Sequence, residues 1–134
     1  WIEDEGQRLG NVNIPFGFFE NMRKQPVLFL NIPFEERLQH IVNGYGNYSK
    51  EKIINAIVRI KKKLGGLETK NAINFLLEED LKNCFAILLK YYDKLYLRGT
   101  YKRDDAESII EQFEFTSTDP KINTKKILQH VYKR

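Results

Sequence analysis

Hydrophobic positions along this chain follow two different patterns. In "PVLFLNI" (residues 26–32) they are continuous over a strand's length, flanked by Pro26 and Pro33. Such a run suits a strand buried on both faces, as in a parallel sheet. "WIEDE" reads as the end of another strand, with the acids beyond it. Between the two, "NIPFGFFENMRKQ" has Pro15 where a first helical turn accepts it, and Phe18, Phe19 and Met22 at helical spacing. "PFEERLQHIV" restarts a helix behind Pro33, and "NGYGNYS" stops it. The order strand, helix, strand, helix predicts an α/β fold. The two strands are expected in one sheet, joined through the helix at 15–25 by a right-handed crossover.

The middle of the chain takes the helical period throughout. Ser49 caps a helix over 50–64, in which Ile53, Ile57, Ile60 and Leu64 form one stripe beside Ile54 and Val58. Gly65 and Gly66 end it. Thr69 is the expected cap of a second helix through Leu77, and the acids at 78–80 mark a break. A third helix is expected from about Asp80 to Leu97, with Leu81, Phe85, Leu88, Tyr92 and Leu95 or Tyr96 facing inward. "SIIEQFEFTS" returns to strand character, and "DPKINTKKILQHVYKR" is a final helix behind Asp119 and Pro120. The organisation expected is one domain's worth of chain: an α/β part at 1–48 and 104–134, and a helical part at 49–103 whose helices fill about 49–98. No repeat and no low-complexity linker is visible.

Composition adds a partner class. Of 134 residues, 42% are hydrophobic and 30% charged, enough for both a core and a soluble surface. The formal charge of +4 is mild, but its distribution is uneven. Residues 1–10 carry three acids against Arg8, whereas 121–134 carry five bases and no acid. Segment 49–70 carries Lys50, Lys52, Arg59, Lys61, Lys62, Lys63 and Lys70 against Glu51 and Glu68. Such segments suit a polyanion, and equally a solvated lysine-rich helix face. No apolar run approaches the roughly 18–20 residues of a membrane helix, so no membrane partner is expected. The single cysteine, Cys84, excludes an internal disulfide and fits a reducing, cytoplasmic setting. The chain begins at Trp1, and its one methionine, Met22, lies in an apparent helix, which points to a piece of a longer chain.

Several chemistries lack their residues. No stretch fits G-x-x-x-x-G-K-[ST]; "GNVNIPFG" and "NGYGNYSK" come nearest and lack the lysine after the second glycine. His40, His130 and one cysteine make no metal constellation. Cys84 lies in "KNCFAILL", an apolar helical stretch that predicts burial.

The first 46 residues are similar to the later part of bacterial tRNA 2-selenouridine synthases. The shared features are a strand ending in acids (Glu3–Glu5), then Arg8, Leu9-Gly10, Ile14-Pro15, a helix ending Met22-Arg23, and a P-E-x-R helix leading to a tyrosine (Pro33, Glu35 or Glu36, Arg37, Tyr45). Downstream, "IKKKLGG" (60–66) and "LLKYYDKLY" (88–96) resemble a basic segment and a YYD segment of the same family. The resemblance implies a P-loop NTPase-type domain with a helical insertion, in an enzyme that also carries a rhodanese-like domain. Such enzymes convert wobble 2-thiouridine of tRNA to 2-selenouridine with selenophosphate, and geranylate it from geranyl diphosphate on the way. This sequence shows neither the rhodanese cysteine loop nor the phosphate loop, so Cys84 takes no catalytic role and the chain alone is not expected to be active. A truncated kinase-like phosphotransferase and a non-catalytic basic RNA-binding module are the alternatives.

Site residues follow from the resemblance and from residue chemistry together. Glu3, Asp4 and Glu5 take the place of acids that hold a metal or orient water beside a phosphate loop, or else form a solvated strand end. In an extended strand Glu3 and Glu5 share one face and Asp4 the other. Arg8, Arg23 and Arg37 are candidate phosphate ligands, or surface ion pairs; Arg37 has Glu36 or another nearby acid as its alternative partner. Lys61, Lys62 and Lys63 are candidate tRNA contacts, though they cannot all face one way. Tyr91, Tyr92 and Tyr96 are candidates for base stacking, or core residues with polar tips.

Overall fold

The structure, a computed structural model, describes residues 1–132. Lys133 and Arg134, the last two of the five bases counted in 121–134, lie outside the described residues. The fold is mixed α/β, mostly helical, with a small parallel sheet. The chain divides into two compact units, residues 1–31 with 97–114, and residues 32–96 with 115–134.

The first unit opens without a strand. Residues 1–6 form no regular element, and the Glu5 amide turns back to the Glu3 carbonyl at 2.9 Å. The strand expected over "WIEDE", and its alternation of Glu3 and Glu5 against Asp4, is therefore not formed. Acidic residues are poor strand formers, and no described strand lies beside them to pair with. A hairpin stands next instead: β1 (Arg8–Leu9) pairs antiparallel with β2 (Val12–Asn13). Gly10 takes φ 59° at the first central position of its turn, a conformation glycine adopts without strain. Helix α1 (Phe16–Arg23) follows behind Pro15 and buries no residue.

Strand β3 (Val27–Asn31) is the run read in "PVLFLNI". Its neighbour is not "WIEDE" but a distant parallel strand in the same unit, running from Ile110 to Glu114. Val27 lies opposite Ile110, and Asn31 opposite Glu114. At that carboxyl end Asn31 Nδ2 donates to both Glu114 carboxylate oxygens, at 2.8 and 2.9 Å. Leu30 is exposed and Val27, Leu28 and Phe29 are half-buried, so β3 is not covered on both faces.

The second unit is helical. It holds α2 (Phe34–Tyr45), α3 (Lys50–Leu64), α4 (Gly66–Leu77) and α5 (Leu81–Tyr101) up to residue 96. Its core is Leu38, Ile53, Ile57, Ala72, Leu76, Cys84, Phe85 and Leu89. Ser49 Oγ accepts from the Lys52 amide and caps α3 as expected. Thr69 is not a cap. Gly65, at φ 97° and ψ 153°, ends α3 and starts α4 one residue later, and the Thr69 hydroxyl donates to its carbonyl at 2.6 Å from inside the helix. The break at 78–80 is a left-handed exit: Glu79, at φ 63°, donates its amide to Leu76 O, and the Asp80 amide reaches Phe75 O at 2.8 Å. Asp80 then caps α5 by accepting from the Asn83 amide and side chain, which holds its carboxyl below the usual range.

Helix α5 runs four residues past the expected Leu97. It buries Cys84, Phe85 and Leu89, while Tyr92, Leu95 and Tyr96, expected inward, are exposed. The buried core ends at Leu89, and these residues further along the helix are exposed. The chain then forms α6 (Ala106–Ile109), β4 (Ile110–Glu114) and α7 (Pro120–Val131), the last capped by Asp119.

Candidate functional site

In the first unit one carboxylate gathers two arginines. Asp4 Oδ2 accepts from Arg103 Nη2, and its Oδ1 lies 3.9 Å from Arg23 Nη1. Both guanidiniums are also tied to backbone at the end of α5. Arg103 Nε donates to Thr100 O at 2.9 Å, and Arg23 Nη2 donates to Gly99 O at 2.8 Å. A helix C-terminus leaves carbonyls unpaired, so cations settle there. The Phe19 ring lies 6.0 Å from the Arg23 guanidinium. Arg103 has only 3% of its side chain exposed, and its Nη1 is buried with no hydrogen-bond partner among the described residues. Arg23 is held below the ordinary arginine range, first by burial and then by the charge of Arg103, with Asp4 opposing.

Of the candidates named from sequence, the structure thus brings Asp4 and Arg23 together. Glu3 is exposed and Glu5 half-buried. Arg8 is exposed on β1, where its Nε donates to Gly10 O at 3.1 Å. Among the described residues no three His, Cys, Asp or Glu side chains gather closely enough to hold a metal ion. Arg103 was missed in the sequence: in "YKRDD" it reads as one more solvated charge, and only tertiary packing buries it.

The second unit settles the surroundings of Arg37. Its Nη1 and Nη2 donate to the two Asp93 oxygens at 2.6 and 3.0 Å, and Nε donates to Ile32 O at 3.0 Å. The Phe34 ring lies 5.9 Å from it. All three nitrogens of this guanidinium are engaged, so in this structure it clamps α2 to α5. Its partner is neither Glu36 nor another residue of its own helix. The P-E-x-R and YYD segments, read separately in the sequence, meet in this one pair.

Lys61, Lys62 and Lys63 are exposed in the last turn of α3, where positive charge complements the helix dipole. Successive residues turn by about 100°, so Lys61 and Lys63 point apart. Lys63 shares its face with Arg59 and Lys52, four and eleven residues earlier, and all three are exposed. Among the described residues none of these three is ion-paired, whereas Lys50 is bound to Glu79. Tyr91 is half-buried and meets the exposed Tyr92 edge-on, with ring centroids 5.0 Å apart. Along α7, Pro120, Lys121, Thr124, Lys125, Leu128 and Tyr132 line an open recess of about 810 Å³. Cys84 is fully buried, and burial, with Asp80 adding, pushes its thiol up to about 11. No described helix is long and apolar enough to cross a membrane.

Comparison with known proteins gives one family. The profile described as the tRNA 2-selenouridine synthase AAA domain matches residues 1–115. A tRNA 2-selenouridine synthase of Psychromonas ingrahamii is 27% identical, across 92% of this chain and 42% of its own length. One from Pseudomonas entomophila is 24% identical, across 82% of this chain and 37% of its own length. The chain therefore spans about two-fifths of the length of these relatives. No solved structure matches.

Proposed function

The chain belongs to the family of the tRNA 2-selenouridine synthase AAA domain, and from that membership we propose that it is the P-loop-type part of a tRNA-modifying transferase. The reaction proposed is conversion of wobble 2-thiouridine to 2-selenouridine with selenophosphate, through geranyl-2-thiouridine made from geranyl diphosphate. One observation carries the reading: the family match covers residues 1–115, the stretch in which the acids, the Met22-Arg23 helix end, the P-E-x-R helix and the YYD helix follow in family order. Within it, Arg23 takes a phosphate group of a co-substrate, with Arg8 on the neighbouring hairpin. Glu3 and Glu5 orient water or a leaving group. The basic stripe Lys52–Arg59–Lys63, with Lys61 and Lys62 beside it, takes tRNA phosphates, and the exposed Tyr92 and Tyr96 offer ring faces to unstacked bases.

Two measurements test this. The full reading frame encoding this chain is expressed in a bacterium lacking 2-selenouridine synthase, and tRNA nucleosides are analysed by mass spectrometry. Selenouridine is expected to return, and Glu5→Gln is expected to reduce it while the protein stays folded. A frame that carries a phosphate loop and a rhodanese-type cysteine yet restores nothing overturns the assignment. For the tRNA surface, each true phosphate contact removed lowers the salt slope of binding by roughly 0.7–0.9. Lys52→Ala, Arg59→Ala and Lys63→Ala together are expected to lower it by more than Lys61→Ala does alone. Unchanged affinity and slope in the triple variant reduce the stripe to a solvated face.

A further inference from the structure

The three charges around Asp4 do not balance. Two guanidiniums carry two positive charges, and Asp4, the carboxylate placed against both among the described residues, carries a single negative charge. Its two oxygens are divided, one toward each arginine. With one Asp4 oxygen on Arg103 Nη2 and the other toward Arg23, Arg103 Nη1 is left buried with no hydrogen-bond partner among the described residues. An unmet buried donor on a charged group costs more than a typical hydrogen bond contributes. Backbone fixes the rest: the Gly99 carbonyl holds Arg23 Nη2 and the Thr100 carbonyl holds Arg103 Nε, so Arg23 Nη1 and the Arg103 fork are aimed before any ligand arrives.

We propose that Arg23 and Arg103 form a receptor for a dianionic tetrahedral oxyanion, a free phosphate or the terminal phosphate of a diphosphate, and that Asp4 takes the ligand's place in this structure. A terminal phosphate presents three oxygens and up to two negative charges. It therefore meets the Arg103 fork and Arg23 Nη1, satisfies Arg103 Nη1 and neutralises the pair. Guanidiniums bind phosphate through paired N–H donors, which a lysine ammonium cannot reproduce. Asp4 is suited to leave. It lies in residues 1–6, outside every helix and strand, in a segment whose backbone holds itself by the Glu5 to Glu3 contact. A phosphodiester carries one charge and two free oxygens, no better matched than the carboxylate, so the receptor selects terminal phosphates over the nucleic-acid backbone. This rests on the reading of Arg23 as a phosphate contact and needs nothing from the tRNA assignment.

The test titrates the ¹⁵N-arginine-labelled 134-residue chain with inorganic phosphate, with pyrophosphate, and with a short oligoribonucleotide lacking terminal phosphates. Guanidinium resonances and calorimetry are the readouts. Phosphate and pyrophosphate are expected to shift the Arg23 and Arg103 signals, and the oligoribonucleotide is expected to leave them in place. Asp4→Ala removes the competing carboxylate and is expected to tighten phosphate roughly tenfold, the equivalent of about 1.4 kcal/mol. Arg103→Lys in that background keeps the charge, loses the fork and is expected to lose most of the binding. Should that variant not fold, Arg23→Gln in the Asp4→Ala background decides the same point. Failure of the Asp4→Ala chain to bind phosphate, affinity unchanged by either arginine substitution, or a response to the oligoribonucleotide alone overturns the proposal. Loss of tRNA binding in the lysine-stripe variants with phosphate binding intact would touch only the tRNA reading.

Discussion

Arg37 and Asp93 hold each other through two charge-assisted hydrogen bonds, each side chain about one-third exposed. Breaking such a pair removes a contribution of roughly 1.5–3 kcal/mol per charged hydrogen bond, discounted here for solvent. Asp93→Asn is expected to lower the free energy of unfolding by about 1–2 kcal/mol, read from the shift of the denaturant midpoint. A double-mutant cycle with Arg37→Gln should show that the two losses do not add. Additive losses would mean the residues stabilise the helices separately. Cys84 gives a pH-dependent counterpart. Its thiol is raised from the ordinary value of 9.0 to about 11 by burial, so the folded state keeps the proton longer than the unfolded one. The contribution is fully present below pH 9 and is lost as pH rises toward 11. Denaturant titrations across that range should show stability falling in the parent and falling less in Cys84→Ala. At this scale the sequence revealed chemistry but not partners. Burial of Cys84 was readable from its apolar neighbours. Arg103 was not readable, because nothing local distinguishes a buried arginine from a solvated one.

Element boundaries follow residues whose conformation is forced. Ser49, Asp119 and Pro120 start helices where their side chains or rings favour a start. The apolar run Val27–Leu30 in β3 was likewise legible, because four such residues between Pro26 and Pro33 fit a short strand better than a helix. Where the structure departs from the sequence pattern, the cause is physical. The apolar start of "WIEDE" resembles a strand, but a strand needs a neighbour, and Asp4 is drawn instead to Arg103. The hairpin β1–β2 did have a signal, Gly10-Asn11 between Leu9 and Val12, which is a two-residue loop of the right chemistry. Gly65 is a stop signal in the sequence, yet it is also the N-cap of the next helix. Its φ of 97° with ψ of 153° lies in a region that is essentially glycine-only. A Cβ there would meet no neighbour, so the cost of Gly65→Ala is backbone strain alone, about 1–3 kcal/mol. Thermal or denaturant unfolding checks this. A loss below about 0.5 kcal/mol would mean that the α3–α4 turn relaxes into another shape.

The two units differ in what holds them together. The helical unit owns the buried cluster from Leu38 to Leu89, contributed by four helices. In the other unit, α1 buries nothing, both hairpin strands are exposed, and Val12, Phe16 and Phe18 are each more than half exposed. Apolar burial is the main favourable term in folding, and local opening is cheapest where buried contacts are few. Native-state hydrogen exchange should therefore be graded along the chain. Amides of α3, α4 and the first half of α5 are expected to exchange slowest, through opening close to global unfolding. Amides of β1, β2 and α1 should exchange faster by orders of magnitude, and β3 and β4 should fall between, since they protect each other through one parallel ladder. Equal protection in α1 and α3, measured on the same sample, would show that the exposed aromatic residues of α1 are covered in solution. It would remove this account of how stability is distributed.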